Sequence, residues 1–183
     1  MRPGWDDYFF EIMESVSKRA TCDRGKSGCV IVKNNHILTT GYVGSPPGFE
    51  SCDDSGHKFQ GRFSADQFNP EMFDFNNHDG INLKRNQFSI HCIRTVHGEQ
   101  NAILQAAKIG VSLEGSTLYC RMTPCYTCAM MIISVGIIRV CCERQYQKAE
   151  ESEKMFEKAG IELIYKYPGE VQKYSQTQVK DKM

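Results

Sequence analysis

Alternation along the chain predicts an α/β fold. Helical spacing of apolar residues takes turns with short apolar strand-like runs, glycines punctuate the junctions, and 183 residues without an internal repeat suit a single core. Such alternation packs helices around a largely central sheet.

Trp5, Tyr8, Phe9, Ile12, Met13 and Val16 recur every three or four residues, which reads as an amphipathic helix ending near Arg19. Cys29–Val32 and His36–Thr39, joined by Asn34-Asn35, read as a β-hairpin. Residues 42–96 hold Gly, Pro, Asp, Asn and aromatics without a sustained period, so an ordered insertion is expected between about 53 and 90. Its phenylalanines at 59, 63, 68, 73, 75 and 88 would bury surface, while His57, His78, His91, Cys52 and Cys92 are candidate metal donors. A helix follows from His97 to Lys108 and stops at Gly110. The order then continues as strand Ser116–Tyr119, helix Tyr126–Ser134, strand Ile137–Cys141, helix Lys148–Lys158 capped by Gly160, and strand Ile161–Tyr165. From about Gly169 the chain is polar, and loose order is expected there.

Composition narrows the function classes. Lysine and arginine number 22, aspartate and glutamate also 22, so no global field draws a nucleic-acid backbone. Nine cysteines form an odd set, several beside histidine, and no signal-peptide core precedes them. A reducing, cytoplasmic compartment is expected. No run reaches the roughly 18 apolar residues of a membrane helix.

Chemistry concentrates in two half-motifs, His97-Gly98-Glu99 and Pro124-Cys125-Tyr126-Thr127-Cys128. Cysteines three apart on one helical turn share a face, and imidazole with two thiolates suits zinc while leaving its fourth position for water. A helix beginning at Cys125 would favour thiolates through its free amides and dipole. Glu99 is the carboxylate left to move protons. Water activated on zinc attacks C4 of cytosine or C6 of adenine in this type of chemistry. Tyr126 and Tyr146 are candidate base or sugar contacts, and Arg19, Arg24, Lys26 and Arg94 are candidate phosphate cations.

Beyond the half-motifs, MRPGWDDYF at residues 1–9, GYVGSPPG at 41–48, HCIRTVHGEQNA at 91–102 and CRMTPCYTC at 120–128 extend the pattern. Together they resemble the cytidine and deoxycytidylate deaminase superfamily, in particular its deoxycytidylate (dCMP) branch. The resemblance implies a three-layer α/β/α cytidine-deaminase-like domain with a mixed five-stranded central sheet over residues 1–168, followed by a flexible tail over 169–183. It implies hydrolytic deamination of dCMP to dUMP and ammonia, supplying thymidylate synthesis, with zinc-bound hydroxide attacking C4 and Glu99 as proton shuttle. His97, Cys125 and Cys128 would hold the catalytic zinc. Val43 stands where many relatives carry a substrate-holding asparagine, and Gly98 where they carry alanine. Valine cannot make the asparagine's hydrogen bonds, so Val43 and Gly44 mark where substrate handling departs from those relatives.

By the same resemblance Cys22, Cys52 and His91 match a second, structural zinc site, with His57 or Cys92 as fourth ligand. Gln105 and Lys108 lie where regulated relatives bind dCTP or dTTP effectors, and a homo-oligomer, commonly a hexamer, is implied. Two alternatives accompany this reading. One keeps the zinc chemistry on cytidine, dCTP or a base in nucleic acid; the other is a non-catalytic zinc-stabilised interaction module, against which Glu99 weighs because folding around zinc does not need it.

Overall fold

Asn34 and Asn35 turn the chain with φ of 51° and 62°, a left-handed pair that suits the twist of a tight hairpin. On either side run β1 (Gly28–Lys33) and β2 (His36–Tyr42), paired antiparallel. In the computed structural model, which describes residues 1–62 and 89–172, this hairpin is one edge of a mixed sheet. The other strands are β5 (Thr117–Met122), β6 (Arg139–Tyr146) and β7 (Glu162–Tyr165), in the order β2-β1-β5-β6-β7. β1 runs antiparallel to β5, whereas β5, β6 and β7 are mutually parallel.

The parallel strands need crossover helices, and the apolar spacing after β5 and β6 supplies α4 (Tyr126–Ser134) and α5 (Glu150–Lys158). With α3 (Gly98–Ile109), these cover one face of the sheet. Ala102, Ile103, Ala106, Ile132 and Phe156 pack there on Cys29, Ile31, Leu118, Cys120, Val140 and Cys142. The opposite face belongs to α1 (Trp5–Ser17), whose Phe9, Phe10 and Met13 meet Val30, Val32, Tyr119 and Cys141. Burial on both faces explains why β1 reads as the unbroken apolar run Cys29-Val30-Ile31-Val32 rather than an alternating one. α1 is also tied by charge: both carboxylate oxygens of Asp6 accept from Arg139, at 2.9 and 2.8 Å, and Tyr119 donates to Asp6 at 2.6 Å.

The expected α/β/α architecture and five-stranded mixed core are therefore present. Boundaries moved modestly. The strand expected at Ile137–Cys141 begins at Arg139 and reaches Tyr146, because Ile137 is a buried turn residue beneath α4. Beyond the five core strands, β8 (Val171–Gln172) pairs with Gln145 and Tyr146 of β6, so the expected loose tail does not begin at Gly169. Within the insertion, α2 (Cys52–Ser55) is a single turn capped by Ser51, and β3 (Phe59–Arg62) pairs antiparallel with β4 (Ser89–Cys92). The expectations placed on Phe63, Phe68, Phe73, Phe75, Phe88 and His78, on the side chains of Phe59 and His91, and on residues 173–183 lie outside the described residues.

Candidate metal and catalytic centre

Two helix starts converge beyond the carboxyl end of β5. His97 is the N-cap of α3 and Cys125 the N-cap of α4, both in extended backbone, so each side chain leaves its helix at the end where free amides point. Gln100 Oε1 accepts from the His97 amide at 3.0 Å, which fixes the entry into α3. Cys128 lies one turn into α4, fully buried.

The three donor atoms lie within 4.8 Å of one another. His97 Nδ1 is 3.5 Å from Cys125 Sγ and 3.4 Å from Cys128 Sγ. Tetrahedral zinc with ordinary Zn–N and Zn–S bonds holds such atoms about 3.6 Å apart, so the set has the spacing zinc requires. Cys125 is pushed down to about 4, first by the Cys128 thiol beside it and then by His97. Cys128 is raised, chiefly because Cys125 carries the charge, and His97 is raised to about 9 beside that thiolate. The donor set thus favours thiolate at Cys125, the form a metal takes.

Glu99 is not among the three donors, yet its Oε2 is 3.7 Å from Cys128 Sγ. It is 7% exposed, and burial raises its carboxyl from the ordinary range. A carboxylate kept in the first turn of α3, buried and raised in this way, suits a proton-transfer role.

Close backbone contact sets this frame. A Cβ on Gly41 would stand 2.2 Å from the Gly98 carbonyl oxygen and 2.4 Å from the Ala102 nitrogen, so β2 touches the first turn of α3 directly. Asn101 Nδ2 donates to the Tyr42 carbonyl at 2.8 Å, and Gly44 bridges Val96 in both directions, at 3.2 and 2.9 Å. Val43 uses its backbone: its amide donates to Ser27 and its carbonyl accepts from Thr21, each at 3.0 Å.

Other expected contacts are placed variously. Tyr146 is half-buried, within electrostatic reach of both Cys125 and Arg24, and burial raises its phenol. Tyr126 opens α4 with half its surface exposed. Arg94 has one guanidinium nitrogen 3.9 Å from Glu50, while its Nε is buried without a hydrogen-bond partner among the described residues. Arg19 and Lys26 are exposed, and Arg24 is half-buried. Gln105 and Lys108 face solvent on α3. Thr21 Oγ1 and Ser45 Oγ, which sequence reasoning did not single out, are also buried without partners among the described residues, on either side of Val43. A hydroxyl amid loop residues carries no spacing signal by which to find it.

A second cluster brings together Cys22, Cys52, His57 and Cys92, again within 4.8 Å. Cys52 and Cys92 sulfurs are 3.6 Å apart, and Cys22 Sγ is 3.8 Å from His57 Nδ1. Both residues expected as alternatives for a fourth ligand are therefore present together. Asp23 Oδ1 lies 2.8 Å from His57 Nε2.

An α/β/α domain with a zinc-type three-donor centre at converging helix N-termini and an unligated buried glutamate defines the class. The chain belongs to the cytidine and deoxycytidylate deaminase family, whose zinc-binding region matches residues 3–144. Deoxycytidylate deaminase of Saccharomyces cerevisiae is 34% identical over 161 residues, covering 88% of this chain and 44% of its own length. The Schizosaccharomyces pombe enzyme of that name is covered to 46%, so the chain spans about half the length of these two relatives. The enterobacteria phage T4 deoxycytidylate deaminase is 34% identical, covering 84% of this chain and 86% of its own. The structure of cyanophage S-TIM5 dCMP deaminase in complex with dCMP and dUMP matches with a TM-score of 0.63 at 26% identity, covering 90% of this chain and 98% of that one.

Proposed function

We propose that this protein hydrolytically deaminates dCMP to dUMP and ammonia. The observation that carries the reading is Glu99: a buried carboxylate, tuned upward, beside three zinc-spaced donors it does not join. His97, Cys125 and Cys128 would hold zinc, whose Lewis acidity activates water at neutral pH. Glu99 takes a proton from the attacking water and delivers it to ring N3, then takes the proton of the new C4 hydroxyl and passes it to the departing amine, which leaves as ammonia. Tyr126 and Tyr146 flank the base. Thr21, Ser45 and Arg94 offer buried polar atoms without partners among the described residues to the sugar and phosphate, with Arg24 as a further cation. The backbone of Val43 holds the loop, and sugar recognition passes to these neighbours.

The deoxycytidylate names of relatives covered over most of their length, and the nucleotide complex of the S-TIM5 enzyme, support the mononucleotide substrate. Cys22, Cys52, His57 and Cys92 make a four-donor set, and a second, structural zinc fits their spacing. Ammonia release from dCMP, CMP, deoxycytidine, dCTP and a single-stranded oligonucleotide tests the reading. Turnover of dCMP that disappears in Glu99→Gln with zinc retained is expected. No turnover of any substrate by zinc-loaded protein overturns it, and preference for another substrate replaces dCMP. Repeating the assay with dCTP or dTTP tests an effector role for Gln105 and Lys108; an unchanged rate rejects it.

A further inference from the structure

The four-donor cluster sits at one end of a short segment whose other end packs beside the start of α3, where a Cβ on Gly98 would stand 3.4 Å from the Ser27 carbonyl oxygen. Cys22 is the N-cap of a one-turn 3₁₀ helix, Asp23–Gly25. Its sulfur accepts the backbone N–H of Arg24, and its neighbour Thr21 donates to Val43 in the loop that also bridges the residue before His97. Asp23 turns to His57: its Oδ1 is 2.8 Å from Nε2, while His57 Nδ1 faces Cys22. A carboxylate accepting the Nε2–H leaves the Nδ1 lone pair for a metal and fixes the ring, the usual support for a ligating histidine. Asp23 makes this contact although 64% of its side chain is exposed. The next residue, half-buried Arg24, lies within electrostatic reach of Tyr146, which is in turn within reach of Cys125.

We propose that the Cys22/Cys52/His57/Cys92 centre acts through the Asp23–Gly25 turn to hold Arg24 against the phosphate of a nucleotide substrate, with Asp23 as positioning residue. The inference rests on the deaminase reading for its substrate. Metal at the outer cluster locks Cys22 and, through Asp23, His57. Both sides of the turn are then held, and the Arg24 backbone follows the Cys22 sulfur. The second centre thereby governs how tightly a phosphate is bound rather than how fast the base reacts.

The test compares the full-length chain with Asp23→Ala and Asp23→Asn, whose amide oxygen still accepts from Nε2–H. Zinc per chain, the rate of zinc release to a colorimetric chelator, KM and kcat for dCMP, and inhibition by dUMP are measured. The wild type is expected to hold two zinc ions. In Asp23→Ala one of them leaves at least about tenfold faster. KM for dCMP and Ki for dUMP rise about tenfold while kcat stays within about twofold, because binding and not the chemical step is lost. Asp23→Asn recovers most of the KM. One zinc ion per chain in the wild type, an unchanged KM in Asp23→Ala, or KM and kcat failing together as in general loss of structure each overturns the proposal. The zinc-release measurement needs no turnover, so a wild type that converts no dCMP overturns the deaminase reading, whereas unchanged release in Asp23→Ala overturns this one.

Discussion

The two donor clusters are built from the same residue types by opposite means. His97, Cys125 and Cys128 sit at the starts of two helices packed on the central sheet, and three donors would leave a bound zinc one open position. Cys22, Cys52, His57 and Cys92 come from a one-turn helix, a single α-turn, a loop and the end of a two-stranded ladder. Four donors close a zinc site, and a closed site binds segments together. The fold therefore places the first cluster on helices packed against the sheet, while in the proposed reading an ion would tie together the shorter segments of the second.

That contrast breaks most sharply at His97→Ala. We expect deaminase activity below detection, one zinc lost and the other retained, with a thermal midpoint near wild type; a collapse of the midpoint would erase the distinction. Glu99→Gln follows, with kcat lowered by about 10³ and both zinc ions in place, read by steady-state kinetics and metal analysis. Cys52→Ser reverses the pattern. Its thermal midpoint falls by roughly 10 °C, while kcat of the folded fraction stays within about threefold. The backbone frame adds two smaller tests. Gly41→Ala forces Cβ into the Gly98 and Ala102 backbone and costs about 3 kcal/mol, visible in denaturant titration, with activity falling as α3 shifts. Gly98→Ala places its Cβ no closer than 3.4 Å to its neighbours, an ordinary contact, so stability changes by about 0.5 kcal/mol or less.

The three-donor cluster was readable because chemistry and periodicity coincide there: Cys125 and Cys128 are one turn apart, Glu99 follows His97 in the first turn of its helix, and Tyr126–Ser134 kept its expected bounds. The core strands were readable for the same reason, since burial on both faces leaves unbroken apolar runs. The second cluster was readable only as a set of candidates. Its donors are separated by loops and by the insertion, and spacing in sequence cannot say whether His57 or Cys92 reaches Cys22 and Cys52. The structure brings both. Asp23, Thr21 and Ser45 were invisible because an aspartate or hydroxyl in a turn ordinarily faces water. Val171–Gln172 was missed because its pairing with β6 depends on the chain turning back after Gly169, where polar composition suggested a tail.

Gly41 has a consequence for how this protein can change. Because its Cα abuts the first turn of α3, the strand that leads into the Val43 loop and the helix that carries Glu99 cannot be re-aimed independently. Variation that seeks a new base or sugar is confined to side chains that project from the frame, Tyr126, Tyr146, Val43, Arg24 and Lys26. A directed-evolution library restricted to those positions samples altered specificity while leaving the α3 frame around Glu99 intact, and one that includes Gly41 yields destabilised variants.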